Sequence, residues 1–142
     1  LAMPQEKSCG AVIFRKDSEI KYLLLHYGAG HWDFVKGNVE PNESETETAV
    51  REIKEETGID DVRFIDGFRE TISYYYRRLK SLIFKEVIFY LAQTQESTVK
   101  LSYEHVGYEW LTYEKTMERL TFANPRRVLQ KANELLKNMG QA

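Results

Sequence analysis

The stretch Gly37-Asn38-Val39-Glu40-Pro41-Asn42-Glu43-Ser44-Glu45-Thr46-Glu47-Thr48-Ala49-Val50-Arg51-Glu52-Ile53-Lys54-Glu55-Glu56-Thr57-Gly58-Ile59 reads as a turn, a helix and a stop. Gly37, Pro41 and Asn42 suit bends and unusual backbone angles. Ser44 followed three residues later by Glu47 forms a capping-box pair. Gly58 stands where a left-handed terminating residue belongs, so the spacing predicts a helix over 45–57. At roughly 100° per residue, with Glu52 at zero, Glu55 falls near −60° and Glu56 near +40°. Ala49, Ile53, Thr46 and Val50 fall on the next arc, which the pattern predicts to be the buried face. Glu47, Arg51 and Lys54 fall opposite. Like charges three and four residues apart destabilise an isolated helix by a few tenths of a kcal/mol per pair. A cation between them reverses that sign, and clustered carboxylate oxygens are what a hard cation such as Mg²⁺ takes. The plainer alternative is a solvated surface helix, supported by Glu47–Arg51 and Arg51–Glu55 at i,i+4.

The whole spacing decides between them. Gly37, Glu43, Arg51, Glu52, Ile53, Glu55, Glu56, Gly58 and Ile59 match every fixed position of the signature of the Nudix hydrolases, and the chain is identified by resemblance as one of them. The resemblance implies a divalent metal, Mg²⁺ with Mn²⁺ as the alternative, on Glu52, Glu55, Glu56 and the carbonyl of Gly37. It also implies that Arg51 orients the glutamates. Glu43 is expected to support the loop and helix. Pyrophosphohydrolysis then proceeds by water attack on phosphorus.

The remaining sequence fits one domain. A chain of 142 residues is long enough for a substantial core, and residues 3–142 are read as a single α/β domain. Met3 is taken as the natural start, and Leu1 and Ala2 are set aside. The net charge of −2 advertises no nucleic-acid or membrane partner, so an anionic substrate must be held by local cations and by metal. No apolar run is long enough to span a membrane and no signal-peptide pattern is visible. The lone Cys9 fits a reducing compartment. A cytoplasmic setting is therefore expected; the resemblance implies a small nucleotide as substrate, and a monomer is taken as the expected state.

Strands are predicted at 9–14, 20–27, 62–65, 68–77, 84–92 and 106–111, from short apolar or β-branched runs. Tyr74 and Tyr76 are placed on one face of their strand, with Tyr75 on the other. A short helix is expected at 113–120. A terminal helix then follows, with Asn124 as its cap and Pro125 in its first position, stopping at Gly140. Two helices against a mixed sheet give an α/β/α sandwich, the fold that the resemblance also implies.

Outer segments resemble the asymmetric diadenosine tetraphosphate hydrolases. They are His31 to Pro41, the aromatic hairpin from Tyr74 to Tyr76, Leu101 to His105, and Phe122. By that resemblance Glu104 is an extra carboxylate, either metal ligand or general base. His31, Lys36 and Lys85 contact phosphates. Tyr74 or Tyr76 stacks with Phe122 on an adenine, worth roughly 1–3 kcal/mol. Arg77, Arg78 and Lys80 are read as solvated turn charges. Val35, where relatives have proline, Asn42, where they have glycine, and a longer hairpin over 77–84 depart from the pattern. They leave the substrate open, not the reaction type: capped or triphosphorylated RNA, a diphosphoinositol polyphosphate or a damaged nucleoside triphosphate are the alternatives. A non-catalytic Nudix-fold nucleotide-binding module is the reading from another class, and the presence of Glu52, Glu55 and Glu56 stands against it.

Overall fold

Strand β1 (Gln5–Lys16) is the axis of the molecule. Its run from Ser8 to Phe14 is buried throughout, as expected for a strand covered on both faces. A computed structural model describes residues 4–141; the reading of Met3 as the start lies outside them. On one edge, β1 pairs antiparallel with β2 (Ile20–Tyr27) through Phe14–Lys16 and with β4 (Val35–Asn38) through Ser8–Ala11. On the other edge it runs parallel to β7 (Ser81–Gln93), from Gln5 against Phe84 to Phe14 against Gln93. β3 (Trp32–Asp33) and β8 (His105–Leu111) pair with β2, and β5 (Arg63–Phe64) and β6 (Glu70–Arg78) pair with β7. One mixed eight-stranded sheet results.

Alternate residues of β1 feed two cores. Val12 and Phe14 join Val128, Leu129, Ala132 and Leu136 of α3 (Ala123–Asn138). Ala11 and Ile13 join Ile53 of α1 (Glu45–Thr57) and Ile59 behind it. The sheet thus lies between α1 and α3, the predicted α/β/α sandwich. α2 (Tyr113–Arg119) joins β8 to α3. Among the described residues no helix is long and apolar enough to cross a membrane.

Several expectations shift. β1 is longer than 9–14 because pairing with β7 extends to Gln5. The two short strands β3 and β4 carry no periodic signal and were not predicted. α3 begins at Ala123, with Phe122 as a cap that makes no side-chain bond, rather than at an Asn124 cap. Pro125 is then the third residue of the helix, still within the turn whose N–H groups lack helical partners, so its missing donor costs nothing there. Asn42 has φ 66°, an angle that Asn tolerates better than most residues.

Candidate active site

Helix α1 occupies Glu45–Thr57 as its capping signals predict. The Ser44 hydroxyl accepts from Glu47 N at 3.1 Å and Glu47 Oε1 accepts from Ser44 N at 2.8 Å. Gly58 ends the helix at φ 76°. The buried face differs from expectation. It comprises Thr48, Ala49, Ile53, Glu56 and Thr57, whereas Val50 is 43% exposed and Thr46 faces solvent. The helix is rotated toward its acidic arc, so Glu56 is buried at its centre and does not border it. Hydroxyls make this possible. Thr57 donates to Ile53 O at 2.5 Å and Thr48 donates to Ser44 O at 3.0 Å, so neither enters the interior unpaired.

Arg51 ties the loop to the helix. Its Nε and Nη2 grip Glu43 at 2.7 and 3.0 Å. Its Nη1 donates to Glu52 Oε1 at 2.7 Å and to Glu55 Oε2 at 3.2 Å. Nη2 also donates to Asn38 O at 3.0 Å. A planar guanidinium can serve so many acceptors from one fixed position. Arg51 above all, with the Thr48 hydroxyl, holds the Glu43 carboxyl down at about 2. Glu43 Oε1 also takes Thr48 Oγ1 at 2.6 Å and Glu40 N at 3.1 Å.

Gly37 lies against Glu52. A Cβ at residue 37 would fall 2.0 Å from Glu52 Cδ and 2.0 Å from its Oε2, so only glycine admits that carboxylate. Burial pushes the Glu56 carboxyl well above the usual carboxylate range, and the adjoining carboxylates of Glu52, Glu104 and Glu55 push the same way. Glu104 is exposed, and its backbone carbonyl is held by Gly28 N at 3.0 Å. Glu55 extends to solvent with its side chain 58% exposed. Among the described residues no three His, Cys, Asp or Glu side chains already converge as a cation cage. Glu56 Oε1 is nonetheless a buried oxygen without a hydrogen-bond partner. With the carboxylates of Glu52 and Glu55 and the carbonyl of Gly37, it would offer oxygen donors alone, the chemistry that a hard divalent ion takes.

His105 was not singled out from sequence, yet its side chain is fully buried with Nε2 3.3 Å from Glu56 Oε1. Its Nδ1 lies 3.0 Å from Ser102 Oγ. Tyr27 packs edge-on to it at 4.4 Å and donates to Phe34 O at 2.8 Å. Only the register of β2 against β8, which sets Tyr27 opposite His105, brings them together. No local motif signals that.

Next to Gly37, at Lys36, lies a cavity of about 440 Å³ lined by His31, Asp33, Lys36, Tyr74, Phe122 and Asn124, among others. Lys36 Nζ stands 5.9 Å from the Tyr74 ring centre. His31 stacks on Tyr27 at 4.5 Å and lies 5.7 Å from Phe122; burial lowers its pKa. Four of the six residues read as substrate contacts therefore share one cavity. Tyr76 and Lys85 do not line it. Tyr76 donates to Glu6 Oε1 at 2.5 Å, and Lys85 Nζ donates to Asn38 Oδ1 at 2.8 Å and to Glu6 at 3.3 Å. The Tyr76, Arg78 and Lys85 donors, Tyr76 first, hold Glu6 at about 2.

The family model described as the NUDIX domain matches residues 4–132. The chain belongs to the Nudix family. It is 36% identical to the mouse protein named bis(5'-nucleosyl)-tetraphosphatase [asymmetrical], over 92% of this chain and 95% of that one. The pig protein of the same name is also 36% identical, over 94% and 97%. Among solved structures, a C. elegans Ap4A hydrolase binary complex superposes with a TM-score of 0.83 at 31% identity, covering 94% of this chain and 98% of that one. The Nudix box of this chain is therefore the segment Gly37–Ile59 built around α1.

Proposed function

We propose that this protein hydrolyses diadenosine tetraphosphate asymmetrically, to ATP and AMP. One observation carries the reading. Lys36, on the wall of the aromatic cavity, is followed directly by Gly37, whose backbone lies against Glu52. A substrate with a base at one end and a phosphate chain leading from it matches that layout. The mouse and C. elegans relatives, named for this reaction, support it.

Glu52, Glu55, Glu56 and the Gly37 carbonyl would hold Mg²⁺, or Mn²⁺ in its place. Such an ion, when bound, neutralises phosphate oxygens and acidifies water. The chain's own residues do the rest. Tyr74 and Phe122 hold the adenine. His31 and Lys36 bind phosphate oxygens, and Lys85 supplies charge beside Asn38. Arg51 fixes the carboxylates of Glu52 and Glu55, which removes reorganisation from the reaction. Glu104, solvent-facing and near Glu56, takes the proton of the attacking water as its oxygen bonds to phosphorus. The anhydride bond opposite breaks, and the leaving phosphate departs as the second nucleotide. The buried lone Cys9 supports a cytoplasmic setting, and the working form is proposed to be a monomer, which light scattering would check.

The test is product analysis after incubation with Mg²⁺ and a panel of dinucleoside polyphosphates, capped RNA and nucleoside triphosphates. Equal ATP and AMP from diadenosine tetraphosphate, with the oxygen isotope from oxygen-labelled water in one product, is the expected result. Two ADP, or turnover confined to RNA ends, would overturn it.

A further inference from the structure

Lys85 is a cation that the cavity does not account for. Its side chain is 12% exposed and burial lowers its pKa, so the ammonium needs a counter-charge close by. Glu6 supplies it at 3.3 Å. The same carboxylate takes the Tyr76 hydroxyl at 2.5 Å and Arg78 Nη2. Arg78 also lies over the Tyr76 ring, 5.7 Å from its centre. Three donors of the β6–β7 hairpin thus converge on one side chain of β1. Stability alone is a weak reason for the cluster. The Arg78 side chain is 58% exposed, and an ion pair so open to water adds little.

Strand alternation gives the cluster its place. Glu6 shares a face of β1 with Ser8 and Val12. Asn38 and Lys36 stand opposite Ser8 and Gly10, and Lys85 stands opposite both Glu6 and Tyr74. Lys36 and Tyr74 line the cavity, so the cluster continues the cavity wall along one face of the sheet. The Asn38 side chain accepts from Lys85 at 2.8 Å, and its backbone carbonyl accepts from Arg51 at 3.0 Å. Asn38 therefore keeps Lys85 beside the box whether or not Glu6 is engaged. Carboxylate and phosphate oxygens accept the same charge-assisted bonds. We propose that Glu6 is an internal competitor for the phosphate chain: its carboxylate occupies Lys85, Tyr76 and Arg78 in the free protein, and the polyphosphate of a bound nucleotide displaces it. Glu6 thereby weakens every ligand whose phosphates extend from Lys36 to Lys85 and spares one whose single phosphate stops at Lys36. This rests on the proposed function for the path of the phosphates, but not on which bond is hydrolysed.

The test is calorimetric binding of AMP, ATP and inorganic tripolyphosphate to the unaltered protein and to Glu6→Gln, in chelator so that nothing turns over. Glutamine keeps the shape of the side chain and removes its charge. Glu6→Gln should bind ATP and tripolyphosphate on the order of tenfold more tightly, the scale of one hydrogen bond to a charged group, and AMP with unchanged affinity. In the double variant Glu6→Gln with Lys85→Ala the gain should vanish. A Glu6→Gln protein that melts cooperatively yet binds ATP no more tightly, or less tightly, would overturn the proposal, because Glu6 would then hold Lys85 in place and not compete for it. A gain shared equally by AMP would overturn it too, since that would report only the loss of a distant negative charge. A gain for ATP with no cleavage of diadenosine tetraphosphate would leave the proposal standing and remove the proposed reaction instead.

Discussion

Replacing Gly37 by alanine separates the needs of the site from those of the fold. The added Cβ would stand 2.0 Å from Glu52 Cδ, whereas ordinary contacts begin at 3.4 Å; the carboxylate must therefore retreat by 3.4 − 2.0 = 1.4 Å. The obstacle is the far end of a side chain, which can swing, so the folded state should lose no more than about 1 kcal/mol. Catalysis is less forgiving. A misplacement of about 1 Å costs on the order of 10²-fold, or about 2.7 kcal/mol of transition-state stabilisation. Gly10→Ala is the control. There the Cβ meets Val35 O at 1.9 Å and Lys36 Cα at 2.8 Å, both backbone atoms of β4, so the strand itself must move. That variant should lose about 3 kcal/mol, the upper end of overpacking costs. Thermal melts and kcat/KM for diadenosine tetraphosphate with Mg²⁺, measured on both, give the answer. If Gly37→Ala works within about threefold of the unaltered enzyme, the Glu52 carboxylate is not needed where it stands. If it melts as low as Gly10→Ala, the distinction between yielding side chain and unyielding backbone fails.

Other outcomes follow from the same geometry. Glu56→Gln should lower kcat on the order of 10³-fold. Its metal-free melting temperature at pH 8 should equal or exceed that of the unaltered protein: a carboxyl whose pKa is raised by folding penalises the folded state as pH climbs above 4.5, and the amide does not ionise. A lower melting temperature at that pH would refute the burial argument. Phe122→Ala removes one stacking face and should raise KM roughly tenfold or more with little change in kcat; steady-state kinetics will tell, and an unchanged KM would place the base elsewhere. Glu6 and Glu43 are both held at about 2, below their ordinary 4.5. Depressed carboxylates contribute stability that is fully present above the unfolded pKa and lost as pH falls through the folded one. Melts between pH 4.5 and 2 should therefore show a steep loss, shallower in Glu43→Gln, and an unchanged slope in that variant would discount the Arg51–Glu43 pair.

What was legible in the sequence was local. The ends of α1 could be assigned to the residue because Ser44, Glu47 and Gly58 each act within four residues of the bond they control. The rotation of that helix was not legible. Counting aliphatic residues as inward put Val50 in the core and left Glu56 at its border, whereas the structure buries Glu56 and exposes Val50. Burying a carboxylate is unfavourable for folding alone, so a pattern that ranks residues by hydrophobicity must fail where a site requires the opposite; local rules break first at functional positions. The tyrosines show the second limit. Strand alternation correctly put Tyr74 and Tyr76 on one face, but their different surroundings come from a distant strand. Lys85 lies opposite Tyr74 on β6 and opposite Glu6 on β1, which brings Glu6 to the Tyr76 hydroxyl and leaves Tyr74 to the cavity. The same holds for His105 beside Glu56 and for Asp33 at the cavity wall. Each lies where strand pairing puts it, and pairing is a property of the whole sheet.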